Sequence, residues 1–581
     1  MAITTCPLDC FDGCSIVYEE GKKLKGEKDH PITQGYLCPH LNHWFDHPRI
    51  QKPRLNGEII TMEKALEVLQ EKLMHVRGDK ALLYRGSGNL GQMQNITKLF
   101  FQAHGSVIAT GSLCEEGGTY GIEEGRGASL ALSPLVVKQS DVVIVWGRNG
   151  SVTNSHMLPS LKGKKLIVID PVRTELAEKA DIFVQIKPRS DLYFAMLLSR
   201  VAYMEQMEDM TFIQERTENF DYFIDHIMGM PMRQMMYRCG ASLDVIGDIL
   251  HMIAGKKVSI LVGLGVQKYA FAHQVLRSID SFAALLGLFG KEGCGVGYID
   301  DSSFGFARPL AVKTKEDSVV NADFSKYDLV FIQGGNPANQ MPHSPSVRAN
   351  LQKAGFIVYF GLHENETAKY ADLVIPAKSF LEKEDLKLSY GHEYIGRMPK
   401  LVDNGTGISE YDLCCTLMNR FQYPSLLSEK EYLEAIISSN SMERDGRLIN
   451  KALETVPYAK TFYTDSGKFE FFDEVDDIFD VEAEGMYLLS AKYLTSLNSQ
   501  FKPYSYLHVP LALGLEEGEC ILLRSPYGEC RYVVRPDERL REDCFLIYSG
   551  HPDANMITPP KESDEGKNAI FQEMKVTWEK C

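Results

Sequence analysis

The segment Asp141-Val-Val-Ile-Val-Trp-Gly-Arg-Asn149 is an apolar run of strand length that ends in a glycine turn. A similar strand end, Leu329-Val-Phe-Ile-Gln-Gly-Gly-Asn-Pro337, lies far along the chain. Further apolar runs of this length alternate with helical patterns, at 81–84, 165–169, 259–262, 356–360 and 373–375. This alternation predicts parallel sheets in α/β domains, which bind ligands outside the carboxyl ends of their strands. The repeated strand end predicts two related α/β halves, each holding part of one ligand.

The composition is that of a large, mildly acidic globular protein. The chain has 581 residues, 44% of them hydrophobic, and a formal net charge of −16, and its length predicts several domains. The negative charge argues against nucleic acid or an anionic membrane surface as the main partner. The apolar runs are too short to cross a membrane, and no leader pattern precedes the first cysteine. We therefore expect a cytoplasmic protein without a transmembrane span.

Four cysteines near the start of the chain have a spacing typical of iron–sulfur ligands. Cys6, Cys10, Cys14 and Cys38 form a C-x3-C-x3-C-x23-C pattern, in which three thiolates from one loop and one distant partner can enclose a cluster. A zinc site favours paired knuckles, and a disulfide framework is typical of short chains in oxidising compartments. Zinc and unligated structural cysteines are the alternatives, and we expect a [4Fe-4S] cluster.

The last hundred residues change in character. From Met486 onward, short strands and turns replace the alternation, for example at 518–523 and 530–534. This pattern predicts an all-β module that closes as a small barrel.

In the first half of the chain, apolar residues at helical spacing predict an amphipathic helix over 62–76.

Several short motifs occur in one order along the chain. They include Trp146-Gly-Arg-Asn149, Asp170-Pro-Val-Arg-Thr174, Lys187-Pro-Arg-Ser-Asp191, Asn336-Pro337 and Asn555 with Thr558. With the cysteine pattern, they resemble the molybdopterin oxidoreductases of the dimethyl-sulfoxide-reductase and formate-dehydrogenase superfamily, nearly from end to end. The resemblance implies an α/β multidomain fold with a small N-terminal iron–sulfur domain, two related parallel-sheet α/β domains and a C-terminal β-barrel of the double-psi type. The expected boundaries are 1–52 for the cluster domain, 53–130 with 315–484 for the first α/β domain, 131–314 for the second, dinucleotide-binding domain, and 485–581 for the barrel.

The resemblance also implies the cofactors and the residues that bind them. Family members carry molybdenum or tungsten on two pyranopterin guanine dinucleotides (bis-molybdopterin guanine dinucleotide). Asp170 and Asp191 would take donors from a guanine, as acceptor-only carboxylates can, although Asp170 can also be a helix N-cap after its strand. The other matched positions would contact the dinucleotides: Trp146, Gly147 and Asn149 on one, Gly265, Gln267 and Asn336 on the other, with Arg173, Thr174 and Asn555 as further contacts.

Cys114 stands where family members place a side chain on the metal. It ends the stretch Gly111-Ser-Leu-Cys114, and a thiolate suits a soft metal already held by sulfur. The alternative is a buried, inert cysteine. Cys294 is the next candidate for the ligand, but its Gly-Cys-Gly setting is typical of a turn that faces a dinucleotide.

Two departures from the family pattern concern the reaction. Glu115 and Glu116 follow Cys114 where formate dehydrogenases have His-Gly, so a formate specialist is not indicated. These carboxyls are candidate acid/base groups beside the metal, or else a solvated acidic turn. His40 replaces a lysine that many relatives place between the cluster and the pterin.

The function that follows is a two-electron redox reaction on a small-molecule substrate. Electrons would pass through the cluster to a separate partner, such as a ferredoxin-like subunit or carrier. One alternative is a hydratase or transhydroxylase of the same family without net redox chemistry. The other is an electron-transfer or structural subunit that kept the fold and lost the metal.

Overall fold

The computed structural model describes residues 1–454, 456–472 and 484–581 of the chain. Three antiparallel strands come first, Ala2–Thr5, Ser15–Tyr18 and Lys25–Gly26. The loop between the first two strands carries three of the four N-terminal cysteines, and the amide of Cys6 donates to the carbonyl of Cys14 (2.9 Å). Cys38 directly precedes the short helix Pro39–Asn42.

An eight-stranded sheet forms one α/β unit. Its first six strands are parallel and the last two pairings are antiparallel. In spatial order the strands are Lys315–Ser318, Val107–Thr110, Ala81–Arg85, Leu329–Gln333, Phe356–Gly361, Leu373–Pro376, Arg54–Leu55 and Glu58–Ile59. Helices cover both faces, because successive buried residues of a strand point to opposite sides of the sheet. One face is covered by Met62–His75, Thr97–Ala103, Glu410–Arg420 and Glu429–Asn440. The other face is covered by Pro337–Gln340 and Ser344–Lys353.

A five-stranded, fully parallel sheet forms the second α/β unit. Its strands, in spatial order, are Ile182–Val184, Lys165–Ile169, Val142–Trp146, Val258–Val262 and Gly295–Gly297. The larger core on this sheet is built by the helices Glu116–Arg126, Asp191–Met204, Met210–Arg216, Phe220–Gly229, Met232–Cys239, Leu243–Ile253 and Ala272–Leu285. The smaller core on the opposite face involves Pro134–Val137 and Leu158–Leu161, and Gly150–Thr153 follows the central strand.

The C-terminal part is a closed six-stranded barrel. Its strands, in order around the barrel, are Met486–Ala491, Cys544–Tyr548, Leu507–Val509, Gly528–Pro536, Cys520–Ser525 and Lys575–Lys580. A disulfide joins Cys520 to Cys581 next to the last strand. The remaining strands form small two-stranded pairings: Thr217–Glu218 with Phe469–Glu470, Asp385–Leu388 with Ile395–Met398, Ser441–Arg444 with Arg447–Asn450, and Ser496–Leu497 with Gln500–Phe501.

The expected α/β multidomain fold with a C-terminal barrel is confirmed at this level. The helix expected over 62–76 is present as Met62–His75, and its start is fixed by Thr61, whose side chain accepts from the amide of Lys64. Its buried stripe is Ala65, Leu66, Val68, Leu69 and Leu73.

Two segments pack elsewhere than their place in the sequence suggests. The helix Glu116–Arg126 falls within 53–130, a stretch assigned to the first α/β domain, but its Ile122 lies in the larger core of the five-stranded sheet. The range 456–472 falls within the stretch assigned to the first α/β domain. Its aromatic side chains instead enter the larger core of the five-stranded sheet, where Phe469 stacks on Phe289 with ring centroids 5.6 Å apart. Burial of large aromatic rings dominates such a choice, and chain order does not restrict it. No helix in the part of the chain that the structure describes is long and apolar enough to span a bilayer.

Candidate active site

The central strands of both sheets end in paired glycine turns. In the five-stranded sheet, Gly147 and Gly263 follow neighbouring strands. In the eight-stranded sheet, Gly86 and Gly334 do the same. Gly147 has φ of +57° and Gly334 has φ of +58°, a left-handed conformation that glycine adopts at no steric cost. The two sheets therefore present the same backbone feature at the carboxyl ends of their parallel strands.

Close backbone approach explains the glycines at these turns. A Cβ on Gly263 would lie 2.2 Å from the carbonyl oxygen of Gly147, and a Cβ on Gly86 would lie 2.5 Å from the Cα of Gly335. By contrast, a Cβ on Gly334 would meet nothing within 4 Å. The space beside Gly334 is open, which leaves room for a ligand against the backbone.

Two large cavities lie at these edges. The first, of about 690 Å³, is lined by Gly147, Gly263 and Gly265, and the second, of about 500 Å³, is lined by Gly86, Gly334 and Gly335. The cavities share part of their walls, formed by Asp9, Arg85, Ser87, Cys114, Leu264, Lys268, Ser490 and Lys492. Two elongated ligands, one on each sheet, would therefore meet beside Cys114.

Two buried carboxyls lie on the wall of the first cavity. Burial raises the pKa of Asp170 to about 7, and the negative charge of Asp191 adds to the effect. Burial raises the pKa of Asp191 to about 6, against the hydrogen bond from the indole of Trp146 (2.7 Å). Asp170 also accepts from the amide of Val172 (2.9 Å). Buried carboxyls of this kind require hydrogen-bond donors, and a ligand with several N–H groups would supply them.

Of the four residues described next, which were expected around the first dinucleotide, two line the first cavity and two do not. Asn149 lines the first cavity, and its buried side-chain oxygen has no hydrogen-bond partner among the described residues. Thr174 lines the same cavity. Trp146 is fully buried behind the wall, where it holds Asp191. Arg173 is exposed and lies over the ring of Phe183, 4.6 Å from its centroid.

The second cavity is lined by Asn336 and Asn555. The amide nitrogen of Asn336 donates to Glu366 (2.7 Å), and that of Asn555 donates to the carbonyl of Asn339 (2.8 Å). Gly265, expected beside Asn336, lines the first cavity instead. Gln267 is fully buried and lines neither cavity; its side chain donates to the carbonyl of Cys114 and accepts from the amide of Gly118 (3.1 Å).

Cys114 lies at the junction of the two cavities. Its thiol is in contact with Ser112 (3.2 Å) and with the carboxyl of Glu115. Burial and the charge of Glu115 raise the pKa of Cys114 well above its usual range. Burial also raises the pKa of Glu115, and it raises that of Glu116 to about 7. A cation bound to the sulfur would stabilise the thiolate and offset this effect. Cys294, the other candidate, lines neither cavity.

All four N-terminal cysteines line the first cavity. Burial raises the pKa of Cys6 to about 12, and the negative charge of Cys38 adds to it. Burial likewise raises the pKa of Cys10, Cys14 and Cys38. Within the described ranges, no group of three or more His, Cys, Asp and Glu side chains is close enough to bind a single metal ion.

His40 also lines the first cavity, beside the cysteines. Its ring is stacked on Phe501, with centroids 4.4 Å apart and planes 19° apart. Burial lowers the pKa of His40 to about 4, so that the imidazole is neutral at neutral pH, where a lysine side chain is ordinarily charged.

Sequence reasoning missed two residues at the junction. Asp9 lies inside the cysteine motif and accepts a hydrogen bond from Tyr390 (2.9 Å). Lys268 follows Gln267 and donates to the carbonyl of Ser490 on the barrel (2.7 Å). Burial lowers the pKa of Lys268 to about 7. The position of Asp9 within the motif was a usable signal, whereas nothing in the sequence brings Lys268 next to the barrel.

Comparison with known proteins gives one family. The family Molybdopterin oxidoreductase matches residues 60–420. The probable oxidoreductase YyaE of Bacillus subtilis is 28% identical, over 81% of this chain and 77% of its own length. The alpha subunit of an F420-dependent formate dehydrogenase from Methanocaldococcus jannaschii is 25% identical, over 66% of this chain and 64% of its own. The catalytic subunit of an assimilatory nitrate reductase from Bacillus subtilis is also 25% identical, over 66% and 63%.

Among solved structures, acetylene hydratase from Pelobacter acetylenicus has a similar fold. Its TM-score is 0.81 at 17% sequence identity, with 100% of each chain covered. The chain thus spans the full length of that neighbour, but less than two thirds of the formate dehydrogenase and nitrate reductase subunits.

Proposed function

Since the chain belongs to the molybdopterin oxidoreductase family, we propose that it is a molybdenum- or tungsten-pterin enzyme that carries out a two-electron reaction on a small substrate. Electrons then leave through one [4Fe-4S] cluster to a partner protein. The relatives named as oxidoreductases, a formate dehydrogenase and a nitrate reductase support redox chemistry as the class of reaction.

The observation that carries this proposal is the meeting of the two cavities at Cys114. Each cavity lies beside a pair of glycine turns that follow parallel strands of its own sheet, and the shared wall contains Cys114. Two pyranopterin guanine dinucleotides, one in each cavity, would bring their reactive ends together there. This supports a bis-dinucleotide cofactor over a single one, because the second cavity has its own glycine turns.

The side chains present fit such a ligand. Asp170 and Asp191 are buried acceptors on the wall of the first cavity, suited to the N–H donors of a guanine. Asn149 offers a buried, unpartnered oxygen on the same wall. Asn336 and Asn555 would contact the second dinucleotide. Trp146 and Gln267 would act behind the walls, by holding Asp191 and the backbone of Cys114.

The metal and its pterins would supply the two-electron chemistry, which side chains cannot provide. Cys114 would be the protein ligand to the metal, and its neighbour Ser112 donates to the carboxyl of Glu115 (2.7 Å). Glu115 and Glu116 would hold or release a proton beside the reacting atoms. The side chain of Gln267 helps to keep this loop in place, because it donates to the backbone carbonyl of Cys114.

The four N-terminal cysteines would hold the cluster that receives the electrons. They line the cavity that also contains Cys114, so that the two redox centres would share one enclosure. Four iron atoms at separate corners suit thiolates that surround a space. The thiol of Cys14 lies 3.9 Å from Nε2 of His156, and the ring of His156 packs against the exposed Tyr36. A partner that docks at the cluster domain would therefore come close to the cluster.

A hydratase or transhydroxylase without net redox chemistry is the alternative within the family, and a metal-free subunit is the alternative outside catalysis. Chemical analysis of the purified protein distinguishes the metal-free subunit from the two enzyme alternatives. It measures iron, sulfide, molybdenum, tungsten and pterin. We expect four iron atoms, one molybdenum or tungsten atom and two pterins per chain. Protein with iron and sulfide but without molybdenum, tungsten or pterin would contradict the enzyme proposal. Molybdenum or tungsten that stays in one oxidation state during turnover would favour the hydratase.

A further inference from the structure

Two buried cationic side chains lie against the loop 6–14, which carries the first three N-terminal cysteines. Lys387 is 1% exposed, and its Nζ donates to the carbonyl of Leu8 (3.2 Å). Arg148 is 5% exposed, and its guanidinium lies over the ring of Phe11, 3.9 Å from the ring centroid. Both cations therefore contact the segment that holds three of the four proposed cluster ligands.

Neither cation is held by an ion pair. Within the described part of the chain, no carboxyl group lies within ion-pair distance of Arg148 or Lys387. Arg148 donates through Nη2 to the side-chain oxygen of Asn154 (2.7 Å), and its buried Nε has no partner among the described residues. A buried charge without a counter-charge is costly. The two side chains therefore require an anion that no ion pair of the described residues supplies.

The two carboxyl groups of the same loop contact other side chains. Asp12 accepts from the side-chain amide of Asn154 (2.5 Å), and its other oxygen lies 2.8 Å from Nδ1 of His156. Asp9 accepts from the hydroxyl of Tyr390 (2.9 Å). Both carboxyls act on the cations through space but form no direct bond with either. They therefore offset the two positive charges only in part.

The cysteine sulfurs are the remaining anionic groups near these cations. The charge of Lys387 lowers the pKa of Cys6, against the larger effect of burial. Burial lowers the pKa of Arg148 to about 10, against the negative charges of Asp12 and Cys10, so that the guanidinium is charged at neutral pH. Cysteines that bind a metal are deprotonated. A cluster on the four cysteines would thus place negative charge where the two cations lack it.

We propose that Arg148 and Lys387 raise the reduction potential of the [4Fe-4S] cluster, because their buried charges stabilise the additional negative charge of its reduced state. This inference rests on the proposed function, which assigns the cluster to the four cysteines. One-electron reduction adds one unit of negative charge to their enclosure, and the electron comes from the proposed two-electron reaction. Buried charges interact far more strongly than charges in water, and net charge is one determinant of a cluster's potential. Both residues act through space, as positioning residues for the electron.

The test measures the midpoint potential of the cluster without using turnover. The purified holoprotein is titrated with dithionite, and the reduced cluster is followed by electron paramagnetic resonance. Arg148→Gln and Lys387→Met should each decrease the equilibrium constant for reduction about 10-fold or more, which is a potential lower by about 59 mV for one electron. Arg148→Lys keeps the charge and should remain close to the parent protein.

Lys25→Gln is the matched control. It removes the same charge from an exposed position on the strand Lys25–Gly26, next to the strand that follows the cysteine loop. Solvent and salt screen an exposed charge, so the equilibrium constant for reduction should change less than about 3-fold. Midpoint potentials that are unchanged in both Arg148→Gln and Lys387→Met, or that fall equally in Lys25→Gln, would overturn the inference.

Iron and sulfide analysis of the same samples keeps the two proposals distinguishable. A merely structural role for either residue would lower iron content but leave the potential of the assembled clusters unchanged. Thermal denaturation shows which variants are folded, and if Lys387→Met does not fold, the pair Arg148→Gln and Arg148→Lys decides the question. An intact cluster with an unchanged potential contradicts this inference and leaves the proposed function standing. A parent protein without iron contradicts both.

Discussion

The indole nitrogen of Trp146 lies 2.7 Å from Oδ1 of Asp191, and both side chains are buried. This contact joins the end of the central strand Val142–Trp146 to the first turn of the helix Asp191–Met204. It stabilises the charged form of a carboxyl whose burial favours the neutral form. A tryptophan expected to contact a ligand therefore lies behind the cavity wall and contacts Asp191, which lines the cavity.

Trp146→Phe should weaken cofactor retention without removing a direct ligand contact. Loss of the indole donor leaves Asp191 buried and less often ionised, and a hydrogen bond to a charged group contributes about 1.5–3 kcal/mol. We expect guanine dinucleotide content per chain to fall several-fold after gel filtration. Trp578→Phe, on the barrel strand Lys575–Lys580, is the matched control and should retain full content; equal losses in both variants would contradict this role.

Asp170 should make the cofactor-free protein less stable as pH rises. Its pKa is raised by burial from 3.8 to about 7, so between these values the folded state binds more protons than the unfolded state. The linkage relation then lowers stability as pH increases through that window, by up to about 4 kcal/mol from this group.

The measurement compares thermal denaturation at pH 5 and pH 8 for protein produced without the pterin. Asp170→Asn should show a smaller drop in denaturation temperature between the two pH values than the parent protein. In the loaded protein, ligand donors should keep Asp170 ionised, and the contribution should shrink. A parent protein that is equally stable at both pH values in the cofactor-free form would argue against the raised pKa.

Cys114→Ser should abolish most activity while much of the metal remains bound. The two pterins would retain the metal, but replacement of a thiolate by a hard hydroxyl changes its coordination. We expect a loss in kcat of about 100-fold or more, as for removal of a catalytic group, and one fewer sulfur neighbour by X-ray absorption. Cys294→Ser, whose side chain lines neither cavity, should match the parent; an unchanged sulfur count in Cys114→Ser would exclude it as the ligand.

Cys14→Ala should prevent assembly of the cluster. It removes one of the four proposed cluster ligands in the first cavity, so we expect iron content and visible absorbance to fall to a small fraction of the parent values. Cys414→Ala is the comparison, because Cys414 is equally buried but lies in the core between the eight-stranded sheet and its helices. Four irons per chain in Cys14→Ala would remove this residue from the ligand set.

Part of the site could be predicted because it depends on residue types at short spacing along the chain. The strand ends at Gly147 and Gly334 were visible as glycines after apolar runs, and the structure gives them nearly equal positive φ angles. The role of Gln267 could not be predicted, because its contacts with Cys114 and Gly118 cross between separate elements.

The sequence by itself determined the alternation of strands and helices, the cysteine pattern and the terminal barrel, because each depends on periodicity or spacing over a few residues. Only the tertiary structure decided that two cavities meet at Cys114, that Gly265 lies with Gly147 and that 456–472 joins the second core. These relationships join residues hundreds of positions apart. They follow from which apolar surfaces can be buried together, a property of the folded chain as a whole.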